Sequence, residues 1–136
     1  MKNVIVGYDG SEQSKRALDR AASLGRTGAK VTIVTAVGIG SHGGGRSMGV
    51  HNEDELKEAA EMLDSARADL ETQGIDAHSI EGEGDAADVI VEAAEQTGAD
   101  LIVVGTRGHG TGKRHLVGSV STKVVHHATC DVLVVR

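Results

Sequence analysis

Apolar residues along this chain follow two alternating patterns. Four short, nearly continuous runs, Val4–Val6, Val31–Val37, Leu101–Val104 and Val132–Val135, are rich in β-branched residues and bounded by turn formers. Runs of that kind read as strands with both faces covered, the mark of a parallel sheet. A fifth segment, Asp76–Glu81, alternates polar and apolar and is expected at the periphery. Between the strands the period lengthens to that of a helix. Ser11 to about Arg26 aligns Ala17, Leu18, Ala21 and Ala22. Glu53 to about Gln73 aligns Leu56, Ala59, Ala60, Leu63 and Leu70, with Asn52 and Glu55 at capping-box spacing. Asp85–Thr97 aligns Ala86, Val89, Ile90, Ala93 and Ala94, and Gly118–Ala128 aligns Val120, Ser121, Val124, Val125 and Ala128. Gly74 and Gly98 stand where helix C-terminal glycines belong.

Strand and helix alternate five times, which predicts an α/β fold with an open parallel sheet and helices on both faces. Crossovers are expected to be right-handed. With the first strand central, the chain reverses direction between it and the fourth strand, and ligands bind beyond the strand ends at such a reversal. Two loops meet there: Gly7-Tyr8-Asp9-Gly10-Ser11 and the glycine-rich stretch that follows Val104. Gly38 to Val50 has no periodic apolar face and reads as a long loop at the ligand end, either a lid or an insertion.

The stretch from Gly105 to Ser121 carries the candidate chemistry. A buried-strand run empties into a glycine-rich loop, which ends in Gly118-Ser119 at the start of a helical pattern. Glycines allow close backbone approach, and a helix start offers unpaired N–H groups and the positive end of its dipole. The Ser119 and Ser121 hydroxyls add further donors. Together these suit a phosphate tail. Two tempting matches fail. Gly38 to Gly43 fits G-x-G-x-x-G after a strand, but no helical pattern opens there. Gly112-Lys113 lacks the P-loop's leading glycine, where Arg107 stands, and its Ser or Thr, where Arg114 stands.

Composition removes several function classes. The 136 residues suffice for one domain with a real core, and the formal net charge of −6 gives no case for nucleic-acid or anionic-membrane partners. Tyr8 is the sole aromatic residue, so stacking platforms for single strands or a flavin are lacking. One cysteine, Cys130, forbids an internal disulfide, and it reads as a small buried hydrophobe. No signal-like segment opens the chain and no apolar run approaches the ~20 residues of a membrane span, so a cytoplasmic location is expected. No metal set is evident. His126 and His127 are helix neighbours that point apart, while His109 and His115 fall in the glycine loop.

The order Gly105, two residues, Gly108, nine residues, Gly118-Ser119 resembles the G-x2-G-x9-G-[S/T] signature of the ATP-binding branch of the universal stress protein family. The resemblance spans residues 1–136. It includes Ile5-Val6-Gly7-Tyr8-Asp9-Gly10-Ser11, the loop Gly105-Thr106-Arg107-Gly108-His109-Gly110, Leu116 to Ser121, and the closing His127 to Val135. It implies a single-domain, Rossmann-like fold of the adenine nucleotide alpha hydrolase-like kind, with strand order 3-2-1-4-5. It also implies bound ATP, with or without Mg²⁺, and a nucleotide-dependent stress-response switch or sensor. By resemblance, Asp9 sits beside the nucleotide and the backbone near Val37 reads the adenine edge. Gly105, Thr106, Arg107 and Gly108 line the ribose and phosphate path, and Gly118, Ser119, Val120 and Ser121 grip the phosphates. With no Phe or Trp, adenine rests on aliphatic side chains and backbone, helped by Tyr8. Arg107 is either a cationic contact or a solvated surface residue. Asp9 also has a plain reading, as a cap for the helix near Ser11.

Family members pair the last strand across a two-fold axis, so a homodimer through Val132–Val135 is expected. Asp131 stands where the family usually has proline, a departure that bears on strand entry. No residue set resembles a hydrolysis centre, so any ATP turnover is expected to be slow. Three alternatives remain open: a slow nucleotide hydrolase using Asp9, a flavin carrier, and a dimeric interaction module that binds no nucleotide.

Overall fold

The computed structural model describes residues 2–38, 49–106 and 118–136, with residues 49–52 as backbone alone. Five strands, β1 (Asn3–Gly7), β2 (Lys30–Val37), β3 (Ala77–Glu83), β4 (Leu101–Gly105) and β5 (Asp131–Val135), form one sheet in the order β3-β2-β1-β4-β5. All four pairings are parallel. The helices α1 (Glu12–Gly25), α2 (Gly49–Thr72), α3 (Ala86–Thr97) and α4 (Ser119–His127) fill the connections. The expected order and the peripheral place of the third strand are both observed.

Side-chain alternation along the strands divides the core in two. Val4, Val6, Val31, Ile33 and Val103 meet Ala17, Ala21, Leu63, Ala66 and Leu70 of α1 and α2. Ile5, Val34, Ile102 and Val104 meet Ala87, Ile90, Ala93 and Val124 of α3 and α4. Each fully buried Val or Ile contributes about 1.5–3 kcal/mol, so two aliphatic layers supply the stability that aromatic residues would otherwise provide.

Local signals set the helix ends. The Ser11 hydroxyl accepts the Ser14 N–H at 3.2 Å, and the Asp85 carboxylate accepts the Asp88 N–H at 3.1 Å, capping α1 and α3. Gly98 ends α3 in the left-handed region, at φ 67°. Gly105 is glycine for a packing reason. A Cβ there would lie 2.7 Å from the Gln13 carbonyl oxygen, so the bare backbone lets the start of α1 press against the end of β4.

Four expectations need correction. Asn52 cannot cap the second helix, because α2 already runs from Gly49. That helix of 24 residues is about 36 Å long, longer than the sheet it covers. Its early turns therefore stay outside the core: Leu56 is 37 % exposed and Ala60 is exposed, and tight packing begins at Leu63. In α4 only Ser121 and Val124 are buried, while Val120 and Val125 are 37 % and 51 % exposed, because this short helix meets its neighbours along a narrow stripe. Cys130 is half-buried against the α3/α4 core rather than enclosed. Burial, then Asp131 and Asp100, push its thiol pKa up, which disfavours the reactive thiolate.

The strand entry at Asp131 forms without proline, with Asp131 exposed opposite Leu101. The expected loop or lid at Gly38–Val50 falls largely on residues 39–48, outside the described residues.

Candidate nucleotide site

The strand order places the reversal between β1, which leads to α1 on one side, and β4 on the other. A cavity of about 350 Å³ opens there, beyond the strand C-termini. Gly7, Tyr8 and Asp9 from the end of β1, Val34, Thr35 and Ala36 from β2, and Val104 and Gly105 from β4 form its floor and sides. Ala86 and Ile90 of α3, Ser14 of α1, and Gly118 to Ser121 of α4 complete it.

A tight turn holds the Gly7–Ser11 loop. Asp9 Oδ1 accepts the Ser11 N–H at 2.9 Å, and the Asp9 N–H donates to Ser14 Oγ at 3.2 Å. Ser11, not Asp9, is therefore the cap of α1, while Asp9 braces the turn that precedes it. Gly10 adopts φ 84°, the left-handed conformation this turn requires.

On the other side, the Thr106 N–H extends the β4–β5 ladder by donating to the Val135 carbonyl at 3.0 Å. The Thr106 carbonyl accepts the Gly118 N–H and lies 3.1 Å from the Ser121 hydroxyl, which is also 3.2 Å from the Gly118 carbonyl. Ser121 is 2 % exposed, so its hydroxyl proton is held inward. This hydroxyl pins α4 to β4, a role different from the outward donation expected of it.

What remains for a ligand is backbone. The first regular bond of α4 runs from the Thr122 N–H to the Gly118 carbonyl at 3.0 Å, and Gly118 supplies no side-chain cap. The amides of Ser119, Val120 and Ser121 thus begin the helix with no capping partner among the described residues. Of the three helices whose N-caps are described, α1 and α3 carry side-chain caps and α4 alone does not.

A second backbone edge comes from β2. The Val34 carbonyl faces β1 and accepts the Tyr8 N–H at 2.9 Å, whereas the Val37 carbonyl faces away and accepts the Gly84 N–H at 3.0 Å. In a parallel ladder these directions alternate. Ala36, two residues beyond Val34, therefore turns its N–H and carbonyl toward the β1 side, just past the last β1 partner, Gly7. Val37 is buried, is not among the cavity-lining residues, and directs its carbonyl to the β3–α3 turn. Parity along β2 was the available signal for Ala36. The Asp85 cap similarly marks the first turn of α3, which brings Ala86 to the same edge.

The structure thus brings together Tyr8, Asp9, Gly105, Gly118, Ser119, Val120 and Ser121. Thr106 stands directly behind them as the anchor. Arg107 and Gly108, like His109, His115 and Gly112-Lys113, lie outside the described residues. Among the described residues, no cluster of His, Cys, Asp or Glu fits a metal ion, and no helix is long and apolar enough to cross a membrane.

Tyr8 is half-buried against the α1/α2 core. Burial first, then Asp69, Asp9 and Asp19, hold its phenol pKa above the ordinary value. As the sole aromatic residue it reports on itself. Near-ultraviolet titration should show one tyrosinate transition, later in pH than in the denatured chain. The raised folded-state pKa makes its stability contribution complete below the unfolded phenol pKa, and lost as pH rises through the folded value. A midpoint at or below that of the denatured chain would contradict this environment.

A family model described as the universal stress protein family matches residues 1–136. Universal stress protein YxiE of Bacillus subtilis (strain 168) is 34 % identical, over 98 % of this chain and 97 % of that protein. A solved universal stress protein in complex with cAMP is 33 % identical and superposes with TM-score 0.76, covering 99 % of this chain and 97 % of the other. The universal stress protein from Archaeoglobus fulgidus in complex with dAMP is 26 % identical, with TM-score 0.77, covering 100 % and 98 %. With this match over its whole length and the sheet order that carries the cavity, the chain belongs to the universal stress protein family.

Proposed function

We propose that this protein binds an adenine nucleotide, ATP, in the cavity between β1 and β4 and works as a nucleotide-dependent switch or sensor in a stress response. One observation carries the reading: Ser119, Val120 and Ser121, whose amides have no side-chain cap among the described residues, line a cavity opposite Ala36, where β2 runs past its last β1 partner. The Ala36 N–H and carbonyl form a donor–acceptor pair that suits N1 and the amino group of adenine. The helix start suits the phosphates. Asp9, which lines the cavity, is assigned to ribose hydroxyls or a hydrated Mg²⁺ in this reading. Relatives in complex with cAMP and dAMP support the same ligand class.

Magnitudes divide the labour. A helix dipole gives an anion at most about 2 kcal/mol. A buried aromatic system the size of a purine removes on the order of 150 Å² from water, about 4 kcal/mol. The base supplies most of the affinity, and the phosphate contacts discriminate among nucleotides.

Calorimetry with ATP, ADP and AMP, with and without Mg²⁺, should detect binding to the wild-type protein. Gly118→Val, which puts a branched side chain at the mouth of the amide cradle, should weaken it at least about tenfold, the loss of one or two charge-assisted hydrogen bonds. Undiminished affinity in that variant would place the phosphates elsewhere.

We also assign homodimerisation to β5. It is a sheet edge, and Val132, Leu133 and Val134 are only half-buried in the isolated chain. A second copy paired along this edge would cover both the apolar surface and the open backbone groups. Val134→Glu is expected to yield a monomer by light scattering, while a persistent dimer would move the interface to another face.

A further inference from the structure

The cavity walls formed by α3 and α4 are tied together by one charged side chain. Lys123, in the second turn of α4, places its Nζ 3.2 Å from Asp85 Oδ2 and 3.4 Å from Asp88 Oδ1. Asp85 caps α3 and Asp88 lies in its first turn. That turn contributes Ala86 to the cavity, and the turn before Lys123 contributes Gly118 to Ser121. The bridge therefore spans the two helix starts just outside the binding space.

The geometry points to Lys123 as a positioning residue, which sets the distance of the α4 amides from the rest of the cavity without touching the nucleotide. Three observations support this. First, α4 is only nine residues long and buries just two of them, so packing alone constrains it weakly. Second, the Ser121 hydroxyl fixes the beginning of α4 to β4, and beyond it only Val124 is buried. The Lys123 bridge lies one half-turn beyond Ser121 and ties that part of the helix to α3. Third, the ammonium is matched by two carboxylates. Its pKa is raised by the Asp85 hydrogen bond first, and that of Asp85 is lowered, chiefly by the Asp88 N–H. Lys123 is thus held by α3 rather than offered to a phosphate. The inference rests on the proposed binding reading and adds to it a residue that contacts no ligand.

The bridge is exposed, so its worth is small, and its removal should weaken ATP binding about threefold to fivefold. The experiment measures ATP affinity and apo-protein melting for wild type, Lys123→Met, Lys123→Glu and the charge swap Lys123→Glu with Asp88→Lys. Lys123→Met should show the modest loss, Lys123→Glu a larger one, and the swap should recover part of the affinity, since Asp85 still faces the new carboxylate. Asp100→Ala is the stability control. It removes a carboxylate that accepts the Lys2 and Asn3 N–H groups at 2.6 and 2.9 Å, at the opposite end of the sheet. That variant should melt earlier with unchanged affinity. Loss of affinity in the swap equal to that in Lys123→Glu would overturn the proposal in favour of direct phosphate contact. Full affinity in Lys123→Met, with wild type binding normally, would overturn it alone. A wild-type protein that binds no adenine nucleotide would remove both this role and the binding reading.

Discussion

The Thr106 carbonyl is the point on which the binding end of this molecule turns. It closes the chain across residues 107–117 by accepting both the Gly118 N–H and the Ser121 hydroxyl, while the Thr106 N–H continues the sheet through Val135. One residue thus joins the last ladder bond of the sheet to the first turn of α4. Ser121 fixes the helix start in place, and Gly118 at the N-cap, having no side chain, leaves that start without a side-chain cap among the described residues. Unsatisfied amides are normally a cost. Here the residues that carry them line a cavity, and no described residue caps them.

Charge bears on the proposed binding. The protein carries a formal net charge of −6, so its overall field repels a polyanion. Attraction must come from local dipoles, which act within about one helical turn and are screened beyond it. In the proposed complex the backbone of Ala36 and the apolar walls from Val34, Ile90 and Val104 would hold the base by shape and by a paired donor and acceptor. On that reading a free phosphate would gain only the weaker of these two contributions, and a nucleotide would gain both.

Much of the architecture was legible because two periods carried it. The β-branched runs at Val4, Val31 and Leu101 marked strands buried on both faces of a parallel sheet, and the Gly118-Ser119 pair marked a helix start that lines the cavity. Features set by three-dimensional parity were not legible. The cradle's opposite wall belongs to Ala36 rather than Val37 because strand carbonyls alternate, and that direction follows from where β1 ends. Ser121 looks like a phosphate donor in one dimension, and its inward turn depends on the Thr106 carbonyl fifteen residues away. Gly105 resembles a ligand-approach glycine, yet the Gln13 carbonyl alone would exclude a side chain there. The exposed first turns of α2 and the exposed Val125 show the same limit: helical periodicity names a face but not how far a neighbour reaches along it.

Amide chemical-shift mapping on isotope-labelled protein tests the central claim most directly. Titration with ATP should move the Ser119, Val120 and Ser121 amides together with that of Ala36. Titration with adenosine should retain the Ala36 shift and lose most of the shift at the α4 amides. Phosphate-dependent shifts centred away from Ser119–Ser121, or a base that leaves Ala36 unmoved, would contradict the account.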